Sequence, residues 1–351
     1  MSLPPTSSEK VGVIGAGSFG TTVANLLAQN QTVLLYDHSA EKVKSLASNR
    51  RFKNWDLAAN IEFTNDIEQL ARECRLIFPV IPSQFFRALL AELGPFLTPA
   101  HSLIHAIKGL DVQLPEGETL QSVGKLSRAQ VKTMSELIRS ETMVARVGCV
   151  AGPNLAGEIA DGMPAATVVA SPFNQVISEG QAALRSPRFR VHASQDILGI
   201  ELAGVLKNVM AIASGILGGL GYGDNTRALL ITRGLAEMAN IGKKLGADPR
   251  AFLGLAGVGD LVATCYSPRS RNYTVGYRLA KGESLDEITA SMEEVAEGVK
   301  TVCIVKALAS HYKVSAPISQ ALFRTLYDGM EIERGMRLLM EFPFSEDVDY
   351  I

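Results

Sequence analysis

Short apolar runs alternate with segments of helical periodicity over the first 110 residues of the chain. Four of the runs predict buried strands, and two of the intervening segments predict helices. Strands separated by helices of this length imply right-handed crossovers and a parallel sheet. The predicted strands are 11–14, 32–36, 76–81 and 102–106, and the predicted helices are 21–29 and 39–49, the second capped by Ser39.

The pattern changes twice beyond this region. A polar stretch between 109 and 144 predicts mostly helix, and strand patterns then return at 144–150, 165–170 and 189–192. After residue 194 the apolar spacing predicts helices alone, so we expect an α/β domain at 1–194 and an all-helical domain at 195–351. The predicted helices are 196–219, 224–245, 248–254, 257–265, 271–281, 284–290, 298–311 and 316–327.

The first strand runs directly into Gly15-Ala16-Gly17-Ser18-Phe19-Gly20, which matches G-x-G-x-x-G. In such a turn the glycines allow a tight bend, close approach of a pyrophosphate and close helix packing. The second strand ends at Asp37, where a carboxylate accepts hydrogen bonds from adenosine ribose hydroxyls. The context predicts a Rossmann-type NAD(P)-binding domain at 1–194. The alternative is a glycine-rich turn whose Asp37 only caps the next segment.

The residues around Asp37 bear on the choice of cofactor. The negative charge of Asp37 repels the 2′-phosphate of NADP and favours NAD. His38 and Lys42 are nearby and soften this bias, while no arginine directly follows Asp37 to clamp a phosphate. The sequence therefore predicts NAD or NADP, with NADH slightly favoured.

The most apolar run, 197–221, carries Lys207 in its middle. Burying an ammonium without a partner is costly, and desolvation lowers the pKa of lysine toward the range useful for acid–base chemistry. The alternative is a structural lysine that snorkels or pairs with Glu201. The run is long enough to cross a membrane, but Glu201, Lys207 and the closing glycines favour a buried helix.

Composition excludes several classes of function. A net charge of −2 gives no electrostatic basis for binding nucleic acid or an anionic membrane. The four cysteines form no CxxC pair, so the sequence predicts neither a metal site nor disulfides and suits a reducing cytosol. The polar start of the chain shows no signal-peptide core, and we expect a cytoplasmic protein. The large helical domain suggests a homodimer.

Taken together, the motifs resemble those of the bacterial type of NAD(P)-dependent glycerol-3-phosphate dehydrogenase. The resemblance extends from residue 11 to about residue 327 and rests on blocks in a fixed order. These blocks are VGVIGAGSFGTTVA at 11–24, KGL at 108–110, GPNLAGEI at 152–159, LKNVMAIASGI at 206–216, TRALLITRGLAEM at 226–238, GLAGVGDLVATC at 254–265, SRN at 270–272 and VAEGVKTV at 295–302.

The resemblance implies three catalytic residues. Lys207 matches the proton donor and acceptor at the C2 oxygen of the substrate, Lys108 matches a lysine that contacts cofactor and substrate, and Asp260 matches a carboxylate that fixes the lysine. The implied substrate contacts are Lys108, Gly152, Asn154, Lys207, Asp260, Ser270, Arg271 and Asn272. The implied cofactor contacts are Gly15, Gly17, Ser18, Phe19, Gly20, Asp37, His38, Lys108, Ala156, Arg271, Val295 and Glu297.

The implied activity is the reversible reduction of dihydroxyacetone phosphate to sn-glycerol 3-phosphate for glycerophospholipid synthesis. Lys108 is expected to lower the pKa of Lys207 and Asp260 to raise it. Two other functions stay open: a related β-hydroxyacid or sugar-acid dehydrogenase, and a non-catalytic NAD(P)-sensing module. The chain departs from the family pattern at Asn154, at Asp37 and in the long segment 111–147, whose role the sequence leaves open.

Overall fold

The computed structural model describes residues 10–292 and 294–342, which form two compact units. The first unit contains the described residues up to 107 together with 134–197, and the second contains 108–133 and the described residues from 198 onward. The expected boundary at residue 194 lies close to the change of unit at 197. The structure differs from the expected division in one segment, because 108–133 belongs to the second unit.

Twelve strands and fifteen α-helices are found in the described residues. The strands are β1 Lys10–Ile14, β2 Val33–Tyr36, β3 Arg51–Phe52, β4 Trp55–Asp56, β5 Ile61–Thr64, β6 Cys74–Pro79, β7 Ser102–His105, β8 Leu110–Val112, β9 Val131–Thr133, β10 Arg146–Ala151, β11 Ala165–Ala170 and β12 Phe189–Ser194. The helices are α1 Ser18–Leu27, α2 Ala40–Asn49, α3 Ile67–Glu73, α4 Phe86–Leu93, α5 Met134–Glu141, α6 Ala156–Ala160, α7 Asn174–Leu184, α8 Ile197–Gly219, α9 Asp224–Lys244, α10 Asp260–Tyr266, α11 Arg271–Ala280, α12 Leu285–Ser291, α13 Glu297–Tyr312, α14 Pro317–Tyr327 and α15 Ile332–Met340.

The first unit is built on one eight-stranded sheet in the order β12-β11-β10-β7-β6-β1-β2-β5. Its strand pairs are parallel except for β10 and β11, which run antiparallel. Alternate residues of β1 and β2 belong to two different hydrophobic clusters, so helices cover both faces of the sheet. Burial on both faces explains why these strands read as continuous apolar runs. The predicted parallel-sheet domain is confirmed.

The carboxyl ends of the central strands meet at one edge of this sheet. Because β10, β7, β6, β1 and β2 are mutually parallel, the residues that follow β1, β2 and β10 lie along the same edge. These residues are Gly15, Asp37 and Gly152. Ligands of open α/β sheets bind at such an edge.

The second unit is helical, as predicted, and is organised around α8. This helix is long and apolar enough to span a bilayer, but 89% of its most apolar 18-residue window is buried inside the protein. It contributes to a single hydrophobic cluster with residues of α9, α10, α13 and α14. The helix is therefore a core element of the folded unit, as its internal charges and closing glycines indicated.

The segment 108–133 contradicts the expectation of a mostly helical stretch. It contains the antiparallel pair β8–β9 and packs on α13, where the Leu126 amide donates to the Ala307 carbonyl at 3.2 Å and the Arg128 amide donates to the Tyr312 hydroxyl at 2.9 Å. Its apolar residues Leu110, Val123, Leu126 and Val131 are buried in the core of the second unit. Contacts with residues far along the chain thus decide its structure, and local periodicity does not report them.

Candidate active site

The glycine-rich turn has the geometry of a dinucleotide-binding turn. Gly15 has φ +106°, a conformation that L side chains rarely adopt, and a Cβ at Gly20 would lie 1.7 Å from the Gly15 carbonyl oxygen. A Cβ at Gly17, in contrast, would meet no atom of the described residues within 4 Å. Gly17 precedes α1, and among the described residues no side chain caps the helix there. Open space beside Gly17 at the N-terminus of a helix suits a pyrophosphate.

Asp37 is buried and already bonded to its surroundings. Its Oδ2 accepts from the Ala16 amide at 3.1 Å and from Lys42 Nζ at 2.8 Å, and its Oδ1 accepts from the Ser39 amide at 3.1 Å. Burial favours the neutral acid, but Lys42 and the two amides outweigh it and hold the pKa of Asp37 below its ordinary value. His38 Nδ1 lies 3.5 Å from Oδ1, and the imidazole itself is exposed.

The segment after β10 lies beside α1. The Thr22 hydroxyl donates to the Ala156 carbonyl at 3.4 Å and to the Ser18 carbonyl at 2.8 Å, so the predicted cofactor residues Ser18 and Ala156 are neighbours. Asn154 donates from Nδ2 to the Thr167 hydroxyl at 2.8 Å. The Oδ1 atom of Asn154 is buried and accepts no hydrogen bond from the described part of the chain. A ligand with an N–H or O–H donor would satisfy it.

Three charged residues of the second unit form one cluster. Lys108 Nζ lies 2.5 Å from Oδ2 of Asp260, and Lys207 Nζ lies 3.2 Å from Oδ1. Thr264 joins them, because its hydroxyl accepts from Lys207 at 2.5 Å and donates to Asp260 at 3.1 Å. Asp260 and Thr264 are four residues apart on α10 and therefore share a helix face. The cluster, Lys108–Asp260–Lys207–Thr264, is called the lysine cluster below.

The lysine cluster sets the protonation of its members. Burial lowers the pKa of Lys207 to about 8, Asp260 acts to raise it, and Lys108 acts to lower it further. These directions are those expected from the sequence. Burial also favours neutral Asp260, but Lys108 and Lys207 outweigh it and hold the pKa of this carboxyl below its ordinary value. Lys207 can therefore exchange a proton near neutral pH while Asp260 stays ionised.

The predicted phosphate-binding triplet opens α11. Ser270 is buried and caps the helix, accepting from the Tyr273 amide at 3.3 Å. Asn272 is also buried and bridges two other helices, because Nδ2 donates to Asn208 Oδ1 at 2.9 Å and Oδ1 accepts from the Gly298 amide at 2.9 Å. Arg271 keeps 47% of its side-chain surface exposed. The triplet thus contains two buried polar residues that fix α11 and one accessible guanidinium.

Arg271 lies beside the segment that precedes α13. One guanidinium nitrogen is 3.1 Å from the Val295 carbonyl and 3.1 Å from Oε2 of Glu294. Glu297 is the first residue of α13. Of the predicted cofactor contacts, Val295 thus lies beside Arg271, and Glu297 follows two residues later in the chain.

Helices α8 and α11 meet backbone to backbone. A Cβ at Gly215 would lie 2.0 Å from the Tyr273 carbonyl oxygen, and a Cβ at Gly276 would lie 1.9 Å from the Ile212 carbonyl oxygen. Only glycine at both positions permits this approach. The contact fixes α8, which carries Lys207, against α11, which begins at Arg271.

Three residues that the sequence did not single out as site members also contribute. Thr264 bonds two members of the lysine cluster, and its spacing of four from Asp260 on a predicted helix is the signal that could have revealed it. Glu294 pairs with Arg271 across 23 positions of sequence, which no local pattern reports. Lys42, noted only as a neighbour of Asp37, forms an ion pair with it.

The first unit carries a dinucleotide-binding turn on a parallel sheet, and the helical unit carries a buried lysine whose pKa is lowered. These two features together define the class of two-unit NAD(P)-dependent dehydrogenases. Two family models agree with this class: NAD-dependent glycerol-3-phosphate dehydrogenase N-terminus matches residues 10–177, and the C-terminus of the same family matches 196–337. The chain belongs to the NAD-dependent glycerol-3-phosphate dehydrogenase family and is an oxidoreductase.

Individual relatives agree over the full length. The glycerol-3-phosphate dehydrogenase [NAD(P)+] of Pseudomonas aeruginosa is 40% identical over 351 residues, covering 99% of this chain and 98% of the relative. That of Geobacter metallireducens is 41% identical over 337 residues, covering 95% and 97%. The crystal structure of glycerol-3-phosphate dehydrogenase from Coxiella burnetii superimposes with a TM-score of 0.84 at 29% identity, covering 95% of this chain and 99% of that one.

Proposed function

We propose that the protein catalyses the reversible reduction of dihydroxyacetone phosphate to sn-glycerol 3-phosphate with NADH or NADPH. The observation that carries the proposal is the lysine cluster, in which a buried lysine, whose pKa burial lowers to about 8, lies 3.2 Å from an ionised aspartate. A nicotinamide cofactor supplies or accepts the hydride at C2. The residues named below bind, orient and exchange the proton.

Lys207 is the proton donor and acceptor at the C2 oxygen. In the direction of reduction the ammonium gives a proton to the oxygen at C2, and in the direction of oxidation the neutral amine removes it. Thr264 and Asp260 hold the side chain in one rotamer through their hydrogen bonds to its ammonium. Lys108 keeps Asp260 ionised and brings a second positive charge to the centre, where negative charge develops on the oxygen.

Arg271 binds the phosphate of the substrate. Its guanidinium offers a planar fork that matches two phosphate oxygens, and it is the accessible member of its triplet. Ser270 and Asn272 support the phosphate site chiefly by fixing α11, since both side chains are bonded within the protein. In the first unit, Gly152 and Asn154 form the turn after β10. The buried amide oxygen of Asn154 there suits a hydrogen-bond donor of a ligand.

The cofactor binds at the carboxyl edge of the sheet of the first unit. The open space over Gly17 receives the pyrophosphate, with the first turn of α1, Ser18 and Phe19 around it, and Asp37 and His38 lie at the adenosine end. The family resemblance implies further cofactor contacts in each unit: Ala156 in the first, and Lys108, Arg271, Val295 and Glu297 in the second. The product would enter glycerophospholipid synthesis in the cytoplasm, and the enzyme would act as a homodimer.

One assay tests the reaction directly. Purified protein should oxidise NADH or NADPH, followed by absorbance, when dihydroxyacetone phosphate is added. Turnover with a β-hydroxyacid or sugar acid instead would favour the related dehydrogenase activity. Tight cofactor binding without turnover on any of these substrates would favour a sensing module. Either result would contradict the proposed reaction.

A further inference from the structure

The ion pair between Asp37 and Lys42 lies at the position where a carboxylate binds the adenosine ribose in dinucleotide-binding folds. A carboxylate has about four acceptor positions on its two oxygens. In Asp37 they face the Ala16 amide, the Ser39 amide, the Lys42 ammonium and, at 3.5 Å, the His38 imidazole. A ribose hydroxyl can therefore bond Asp37 only if one of these donors leaves.

The exposed His38 imidazole lies at 3.5 Å and is free to turn away, and of the three groups that hydrogen-bond Asp37, Lys42 is the one that can leave. The two amides belong to the glycine-rich turn and to the start of α2, so the backbone holds them in place. Lys42 reaches Asp37 with a flexible side chain from the first turn of α2, and its Nζ moves without altering the fold. Its departure would leave Asp37 with both backbone hydrogen bonds.

The two halves of the pair differ in accessibility. The Asp37 side chain retains 6% of its surface, whereas the Lys42 side chain retains 38%. A ligand arriving at the edge of the sheet thus meets the cation first, and the carboxylate behind it is neutralised. The start of α2 adds a further positive partial charge, because amides at the N-terminus of a helix point outward. An anion is therefore favoured at a position where an isolated aspartate would repel it.

We propose that Lys42 determines cofactor specificity by alternating between two partners. When NADP binds, the Lys42 ammonium binds the 2′-phosphate and Asp37 keeps its two backbone bonds. When NAD binds, ribose hydroxyls take the acceptor position that Lys42 vacates on Asp37. The Asp37–Lys42 pair is then the device that admits both cofactors, so the preference for NADH expected from Asp37 alone is removed. This inference rests on the proposed function, because it concerns the cofactor of that reaction.

Direct binding measurements test the role of Lys42 without turnover. Isothermal titration with NADPH, NADH, ADP-ribose and 2′-phospho-ADP-ribose separates the adenosine end from the nicotinamide end. Lys42→Met should weaken binding of the two 2′-phosphorylated ligands by about 10-fold or more, the size of a lost hydrogen bond to a charged group. Binding of NADH and ADP-ribose should change by less than about 3-fold, since their hydroxyls need only Asp37.

Three further variants complete the test. Lys44→Met changes a second, exposed lysine of α2 and should leave all four affinities unchanged. Lys42→Arg keeps the cation and should retain 2′-phosphate binding. Asp37→Asn should weaken NADH more than NADPH, because it removes the acceptor for the ribose hydroxyls. Equal losses for phosphorylated and unphosphorylated ligands in Lys42→Met, or no loss at all, would overturn the proposal.

The same data distinguish a failure of this inference from a failure of the proposed function. If the cofactor affinities of the Lys42 variants change as expected but dihydroxyacetone phosphate is not turned over, the proposed reaction is wrong and the role of Lys42 is supported. If the protein turns over dihydroxyacetone phosphate with both cofactors but the affinities do not change in the Lys42 variants, the proposed reaction is supported and the role of Lys42 is wrong. A wild-type protein that binds neither cofactor would overturn both.

Discussion

Lys207 Nζ and Asp260 Oδ1 lie 3.2 Å apart, and both side chains are almost fully buried. Burial disfavours the charged form of both residues, but the second cation, Lys108, stabilises only the charged form of Asp260. Asp260 therefore stays ionised while Lys207 is poised to lose its proton. The lysine cluster thus provides one fixed charge and one exchangeable proton.

Removal of the Lys207 amine should abolish proton transfer and spare cofactor binding. We expect Lys207→Met to lower kcat for reduction of dihydroxyacetone phosphate by at least about 100-fold. The dissociation constant of NADH, measured by titration, should change little, because the dinucleotide turn belongs to the first unit. Lys244→Met, at the exposed end of α9, serves as the control. Parallel losses of rate and cofactor affinity would indicate a structural lysine instead.

The pH profile should report the pKa of Lys207 in both directions of the reaction. Oxidation of glycerol 3-phosphate needs the neutral amine, so its rate should rise with pH through about 8, and reduction should fall over the same interval. Asp260→Asn removes the charge that raises this pKa and should move both transitions to lower pH. Lys108→Met removes a charge that lowers it and should move them to higher pH. Shifts in the same direction for both variants would contradict the assignment.

Arg271 should control the affinity for the phosphate end of the substrate. Arg271→Ala should raise the KM for dihydroxyacetone phosphate by about 10- to 100-fold, the size of lost hydrogen bonds to a charged group. Arg271→Lys should restore part of the affinity, since an ammonium keeps the charge without the planar fork. Steady-state kinetics check this, with the exposed Arg269→Ala as the control. An unchanged KM would remove Arg271 from the phosphate site.

Glu237 should make the stability of the second unit depend on pH. This fully buried carboxyl accepts from the Ile318 and Ser319 amides at the start of α14, and burial raises its pKa to about 7 although those hydrogen bonds oppose the rise. The folded state therefore binds a proton between pH 4.5 and about 7 that the unfolded state releases. Relative to Glu237→Gln, the wild type should lose up to about 3 kcal/mol of unfolding free energy as pH rises through this window.

Denaturant titrations at pH 5 and pH 7.5 measure this difference. Glu333→Gln, on the exposed first turn of α15, should follow the wild type at both pH values. If Glu237→Gln and the wild type show the same change with pH, the carboxyl is already ionised throughout the window and the prediction is wrong.

Gly276 should tolerate no side chain. Its added Cβ would overlap the Ile212 carbonyl oxygen, so Gly276→Ala must push α11 away from α8. Such overpacking costs about 1–3 kcal/mol or more, which a lower unfolding free energy would reveal. Gly282→Ala in the turn after α11 separates this effect from backbone strain. Its positive φ would be strained for alanine, but the added Cβ would meet no atom of the described part of the chain within 4 Å. Equal stability of Gly276→Ala and the wild type would contradict the backbone contact.

The helices of the second unit were largely predictable from the sequence. The helix predicted at 224–245 is found at Asp224–Lys244, and that predicted at 316–327 at Pro317–Tyr327, because apolar spacing and N-terminal signals coincide. The amphipathic helix Ile332–Met340 was missed. In the first unit the edge strand Ile61–Thr64 was missed as well, since its alternation of apolar and polar residues extends over only four positions.

The site was less accessible to sequence reasoning than the fold. The glycine-rich turn could be recognised because its residues are consecutive and each glycine has a local reason. The lysine cluster joins residues from Lys108 to Thr264, and only a family resemblance could bring three of them together in advance. The ion pairs of Lys42 and Glu294 depend on rotamers and helix positions that tertiary packing sets.

The glycine contact between α8 and α11 has a consequence for the size of substrate the enzyme accepts. Lys207 and Arg271 lie on two helices whose backbones touch, so the separation of these two helices is fixed. In the proposed reaction this fixed separation favours one spacing between the carbonyl carbon and the phosphate of the substrate. A phosphorylated hydroxyketone with a longer carbon chain, bound by its phosphate, would therefore be a poorer substrate.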